Sequence, residues 1–109
     1  MDSTSDLVKR GYIYVLINPC IPNLVKIGKT RGVPAVRARK LSGSAVPTSF
    51  QVVCSLGVPD IHLTEARIFR ALRKYRWNEK KEFFHLHPRD AVHIVKTLVL
   101  EFGLESQNM

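Results

Sequence analysis

The sequence predicts a single small α/β domain of the α+β kind, a mainly antiparallel sheet flanked by helices. Three observations predict it. The chain has 109 residues, enough for one real core and too few for two. Apolar residues make up 45% of it, gathered into several well-separated segments, as in a folded chain. Those segments alternate between strand-like runs and helical spacing, in the order strand, strand, helix, strand, helix, strand, helix.

Residues 1–9 are polar, without a periodic apolar pattern, and read as a flexible entry; the domain spans residues 10–104, and 105–109 read as a flexible tail. Gly11 to Ile17 (GYIYVLI) is aromatic and β-branched and too continuous to face water on either side, so it predicts a central strand. Asn18, Pro19, Pro22 and Asn23 make a turn, after which Leu24 to Gly28 returns as a hairpin partner. Pro34 suits the first turn of a helix running from Ala35 to Leu41, ended by Ser42 and Gly43. Phe50 to Leu56 is a third strand. Asp60 is a candidate N-cap for a long helix from Ile61 to about Arg76, with Ile61, Glu65, Ile68, Leu72 and Tyr75 on one stripe and Arg67, Arg70, Arg73, Lys74 and Arg76 opposite. Glu82 to Leu86 is a short fourth strand. Pro88 opens a last helix to about Phe102, whose Ala91, Ile94, Val95, Leu98 and Phe102 face inward.

Seventeen Lys and Arg against nine Asp and Glu give a net charge of +8. The distribution says more than the sum. Eight basic residues and no acidic one lie between Lys9 and Lys40, and seven more lie between Arg67 and Lys81 against Glu79 alone. An ordinary solvated surface mixes both signs, so unrelieved blocks favour the nucleic-acid backbone over a bland basic surface. Arg31, Arg39 and Lys40, with the five cations of the long helix, are the candidate backbone-contacting residues. No stretch is long enough to span a bilayer, no apolar run near the start resembles a secretory signal, and no helix has an arginine-rich face beside a clean apolar one. Two cysteines are too few for a disulfide scaffold or a zinc cluster, and they read as reduced thiols of a cytoplasmic or nuclear protein, with a bridge between them left open.

Phosphodiester hydrolysis needs a positioned water, positive charge at the phosphate and help for the leaving oxygen. Tyr14, Lys26, Lys29, Arg37 and Glu65 supply such groups, and each alone has an ordinary structural reading. Taken in order, Gly11-Tyr12-Ile13-Tyr14, Val25-Lys26-Ile27-Gly28-Lys29-Thr30, the Arg-x-x-x-Leu from Arg37 to Leu41, Glu65, Arg76 and Glu82-Phe83-Phe84 form a set. Across residues 11–86 this set resembles the GIY-YIG endonuclease superfamily, in particular its small phage, bacterial and fungal subgroup with Lys-Ile-Gly as second motif.

The resemblance implies one divalent cation, magnesium or manganese, on Glu65, with Arg37 on the scissile phosphate and Tyr14 activating or orienting the attacking water. Where orthodox members carry a second-motif tyrosine this chain has Lys26. A lysine acts as a base only if burial or neighbouring charge holds it neutral, so we read Lys26 as an electrostatic clamp. Lys29 is placed to contact a phosphate or the leaving group. Glu82 reads either as a structural carboxylate paired with Arg76 or a lysine, or as a group beside the metal. His62, three residues before Glu65, is an accessory candidate, and with His85 and His87 it makes no convincing metal triad. The family's helix histidine is Phe69 here, which weakens the case for vigorous catalysis.

The expected function is therefore a metal-dependent DNA endonuclease with low intrinsic sequence specificity, acting on duplex or branched DNA, with specificity left to a separate protein. The alternative is a nucleic-acid-binding accessory protein of the same fold with little or no cleavage. A protein-interaction module is a third reading.

Overall fold

The computed structural model describes residues 9–43, 48–78 and 82–107. Most of the entry segment, at residues 1–8, and the last two residues of the tail lie outside them. Four strands, β1 (Gly11–Ile17), β2 (Val25–Thr30), β3 (Gln51–Val58) and β4 (Phe83–Phe84), form one antiparallel sheet in the order β3-β1-β2-β4. The continuous apolar run of β1 thus sits in the middle of the sheet, with Ile13, Val15 and Leu16 fully buried. Helices α1 (Pro34–Ser42), α2 (Ile61–Ala71) and α3 (Pro88–Gln107) flank it.

Side chains alternate across a strand, so the central strand β1 feeds two separate cores. Ile13, Val15, Val25, Ile27 and Phe84 meet Ile61, Ile68 and Leu72 and, from α3, Ala91 and Val95 in the larger one. On the other face, among the described residues, Tyr14 and Leu16 pack with Ala38 and the half-buried Leu41 and Phe50, and this small cluster holds α1. Between the first two strands, Asn18 ties the turn: its amide donates to the Thr48 carbonyl at 2.8 Å, and its Oδ1 accepts from Cys20 N at 2.8 Å. Helix α1 begins on buried Pro34, as expected, and Ser42 closes it by donating to the Ala38 carbonyl while accepting from Phe50 N.

Asp60 caps α2 as its position predicts, its Oδ1 accepting from His62 N at 3.1 Å and Leu63 N at 3.0 Å. The long helix expected to reach Arg76 does not. It ends at Ala71, and Arg73–Tyr75 form a 3₁₀ turn. No glycine or proline stops it; the backbone beyond is claimed by β4. His85 N donates to the Tyr75 carbonyl at 2.7 Å, Trp77 N donates to the Phe83 carbonyl at 2.8 Å, and Arg76 bridges Phe84. Helix α3 runs on to Gln107, past Phe102. Strands β2 and β3 each extend about one turn of pleat beyond the expected ends, and β3 carries a bulge where Val15 and Leu16 pair with Cys54 and Val52. No helix among the described residues is long and apolar enough to cross a membrane.

Candidate active site

Tyr14 and Gly28 are direct cross-strand partners. The tyrosine is 1% exposed, and the phenol end of its ring lies over the glycine, filling the space a side chain would take: a Cβ on Gly28 would stand 2.6 Å from Cζ, 2.9 Å from Cε1 and closer still to the hydroxyl oxygen. Glycine at this point of the second strand is what allows the ring to lie flat across it. Gly11 is a second close approach, where a Cβ would meet Ile61 Cγ2 at 2.9 Å.

Burial pushes the Tyr14 hydroxyl above its ordinary value of 10.0, a hydrogen bond with Arg37 pulls the other way, and the Glu82 and Glu65 carboxylates reinforce the rise. Tyr14 is therefore a neutral phenol at physiological pH. It can hold and orient a water, and it is not poised as a phenolate base. Arg37 is thus the hydrogen-bond partner of the hydroxyl, and the two carboxylates act on it through their charge.

Strand alternation divides the two motif lysines. Lys26, opposite Leu16, stands on the α1 face; its ammonium is 3.5 Å from Glu82 Oε2 and 5.0 Å from the centre of the Phe83 ring. Glu82 thus has a lysine partner in this structure. Lys29, opposite Ile13, stands on the α2 face and donates to Glu65 Oε1, so in this structure its nearest anion is a carboxylate. Glu65 is 8% exposed in the stripe of α2, and its second oxygen, Oε2, is buried with no hydrogen-bond partner among the described residues. His62 is exposed on the first turn of the same helix.

A depression of about 390 Å³ lies between the end of β2 and the start of α1, lined by Lys29, Thr30, Arg31, Val36, Arg37 and Lys40 among others; Glu65 adjoins it through Lys29, while Tyr14, Lys26 and Glu82 are not among its lining residues. Four cations thus surround one hollow. Arg31, Arg37 and Lys40 were each expected near phosphate, while Arg39 is exposed and does not line it. The basic residues from Arg67 to Arg76 do not share one helical face. Arg67 lies over the Phe102 ring at 4.8 Å, Lys74 over Tyr75 at 5.2 Å, and Arg76 over Phe69 at 4.8 Å and Phe84 at 6.0 Å; Arg70 and Arg73 are exposed. Phe69 packs edge-on against Phe84 and belongs to the border of the main core.

Sequence reasoning named Tyr14, Lys26, Arg37 and Glu65 as candidates and missed what Gly28 does. The signal was present: a glycine directly across a hairpin from a strand tyrosine.

The hollow is lined by cations, and the Glu65 carboxylate adjoins it through Lys29. A buried carboxylate oxygen lacking a donor fits a hard cation, and magnesium commonly keeps several waters, takes one or two carboxylates and completes its shell on substrate phosphates. No group of three His, Cys, Asp or Glu side chains placed to hold a metal occurs among the described residues, so Glu65 is the protein carboxylate that fits. Compared with known proteins, residues 11–99 match the family model described as the T5orf172 domain. No curated protein and no solved structure gives a significant match.

Proposed function

The chain belongs to the T5orf172 domain family, and from that membership and the geometry of the hollow we propose that it is a metal-dependent DNA endonuclease of GIY-YIG type with low intrinsic sequence preference. The observation that carries the reading is Glu65: a carboxylate buried on a helix, with one oxygen unpartnered among the described residues, beside a cation-lined hollow. Magnesium or manganese bound there would supply positive charge at the phosphate and a more acidic water. Arg37 holds a phosphate oxygen and stabilises charge as it builds, Tyr14 fixes a water through its neutral hydroxyl, and Arg31 and Lys40 receive neighbouring phosphates. Lys26, held by Glu82, contributes its charge from the side.

A specific observation favours a second reading, a nucleic-acid-binding protein of this fold without cleavage: Lys29 already neutralises Glu65, and Phe69 leaves no imidazole on that helix turn. Incubation with supercoiled plasmid decides between them. Under the first reading, magnesium or manganese supports nicking, EDTA stops it, and Glu65→Gln and Arg37→Ala abolish cutting while low-salt binding persists. Intact plasmid alongside strong low-salt binding establishes the second.

A further inference from the structure

We propose that Trp77 is a stacking platform for one unpaired nucleobase beside the phosphate held in the hollow, so that the preferred substrate carries a single-stranded segment at the cleavage point. The proposal rests on the nucleic-acid reading above and specifies its substrate class.

Trp77 is the chain's one tryptophan and is 50% exposed, a large apolar ring left in water. Its position is nonetheless fixed. The backbone N–H donates to the Phe83 carbonyl at 2.8 Å, and the indole meets the Phe83 ring edge to face, with centroids 6.4 Å apart and planes at 89°. Phe83 in turn leans on Phe50 at 6.3 Å. An edge-to-face contact occupies at most one face of the indole, and a ring held in place by a neighbour loses little freedom when a second flat group settles on it.

The surroundings favour a base over an apolar protein partner. Lys26 sits over the Phe83 ring at 5.0 Å, so cation and aromatic groups interleave, as they do where proteins hold single strands. Phe83 pairs with Lys26, two residues along β2 from Gly28, about 6.6 Å at strand spacing. One extended nucleotide covers that step. The indole stands one ring further, its centroid 6.4 Å from that of Phe83, so a backbone running from Lys29 and Arg37 of the hollow past Gly28 brings a base to the aromatic row within about two such steps. In a duplex that base has both faces covered by its neighbours, and only an unpaired one offers a face to indole.

Tryptophan emission reports the contact directly, because a stacked base quenches indole and this chain has a single source. The intact protein in EDTA at low salt is titrated with a blunt duplex, the same duplex with a single-stranded extension, and that extension made abasic. The proposal expects quenching by the extended duplex alone, with tighter binding than to the abasic form by about 5- to 150-fold, the range for stacking one base. Trp77→Ala removes the preference and Trp77→Phe keeps part of it; urea midpoints show that both variants fold. Equal quenching by the abasic form, or a preference that survives Trp77→Ala, overturns the proposal. If the blunt duplex binds and plasmid is cut while emission never moves, stacking alone falls. If no oligonucleotide binds at low salt, the nucleic-acid reading falls and takes this proposal with it.

Discussion

Replacing Gly28 with alanine tests whether the Tyr14 ring and this glycine are one structural unit. The backbone at Gly28 is ordinary strand, outside the left-handed region, so alanine meets no conformational penalty. In a vacant site the change would stabilise by about 0.4–1 kcal/mol through the unfolded chain. Here the new methyl would stand 2.6 Å from Tyr14 Cζ, far inside contact distance, and the ring is 1% exposed. Overpacking a filled core costs about 1–3 kcal/mol, which leaves a net loss of about 1–2 kcal/mol. For a domain of this size the melting temperature falls by about 4–10 °C. Urea unfolding with unchanged slope measures it. The attribution to Tyr14 is then tested by a double-mutant cycle. Tyr14→Leu removes the ring and should cancel at least about 1 kcal/mol of the alanine's cost. Tyr14→Phe keeps Cζ and should cancel little. If Gly28→Ala is harmless, or costs as much beside Tyr14→Leu as alone, the ring does not depend on the glycine and the explanation of the second motif fails.

The remaining predictions concern charge. Because the folded protein holds the Tyr14 proton more tightly than the unfolded chain, whose phenol titrates near 10.0, the folded state binds more protons in that window and stability falls as pH rises through it. Melting temperatures from about pH 9 to about pH 11 should therefore decline less steeply in Tyr14→Phe than in the wild type, and equal slopes would contradict the burial of the hydroxyl. Lys29→Met leaves the Glu65 carboxylate without its ammonium and should cost about 1–2 kcal/mol, less than a fully buried pair because Lys29 is 32% exposed. The same variant should gain a larger thermal shift from magnesium than the wild type does, since cation and ammonium compete for Glu65; an unchanged shift places the ion elsewhere. Lys40→Ala should reduce the slope of log affinity against log salt by about 0.9 for DNA of any sequence, while Arg39→Ala, outside the hollow, should not.

Much of the fold was legible because its signals are local. The aromatic run of β1, the prolines and asparagines of the first turn, Pro34 and the Asp60 cap each act within a few residues, and each appears where expected. The end of α2 was not legible, because nothing in Leu72 to Arg76 disfavours helix; the competing hydrogen bonds come from Phe83 and His85, which are distant in sequence. The same division holds at the hollow. Motif order named Tyr14, Arg37 and Glu65, and the period of two already separates Lys26 from Lys29. Which carboxylate each lysine meets depends on how α2 and β4 are set against the sheet, and no spacing encodes that. The five cations after Glu65 looked like a single stripe only while the helix was assumed to continue.

Arg37 and Glu65 are carried by cores of very different size, and this has a kinetic consequence. Helix α2 is anchored in the main core, whereas α1, among the described residues, rests through Ala38 and Leu41 on Tyr14, Leu16 and the half-buried Phe50. Local opening follows the number of buried contacts, so the amides of α1 should exchange with solvent by a low-energy excursion that leaves α2 protected. The arginine can then swing away and return while the carboxylate stays fixed. Under the proposed function, such an opening would let a nucleic-acid strand enter the hollow from the side, and hydrogen exchange of the α1 amides measures how often it occurs.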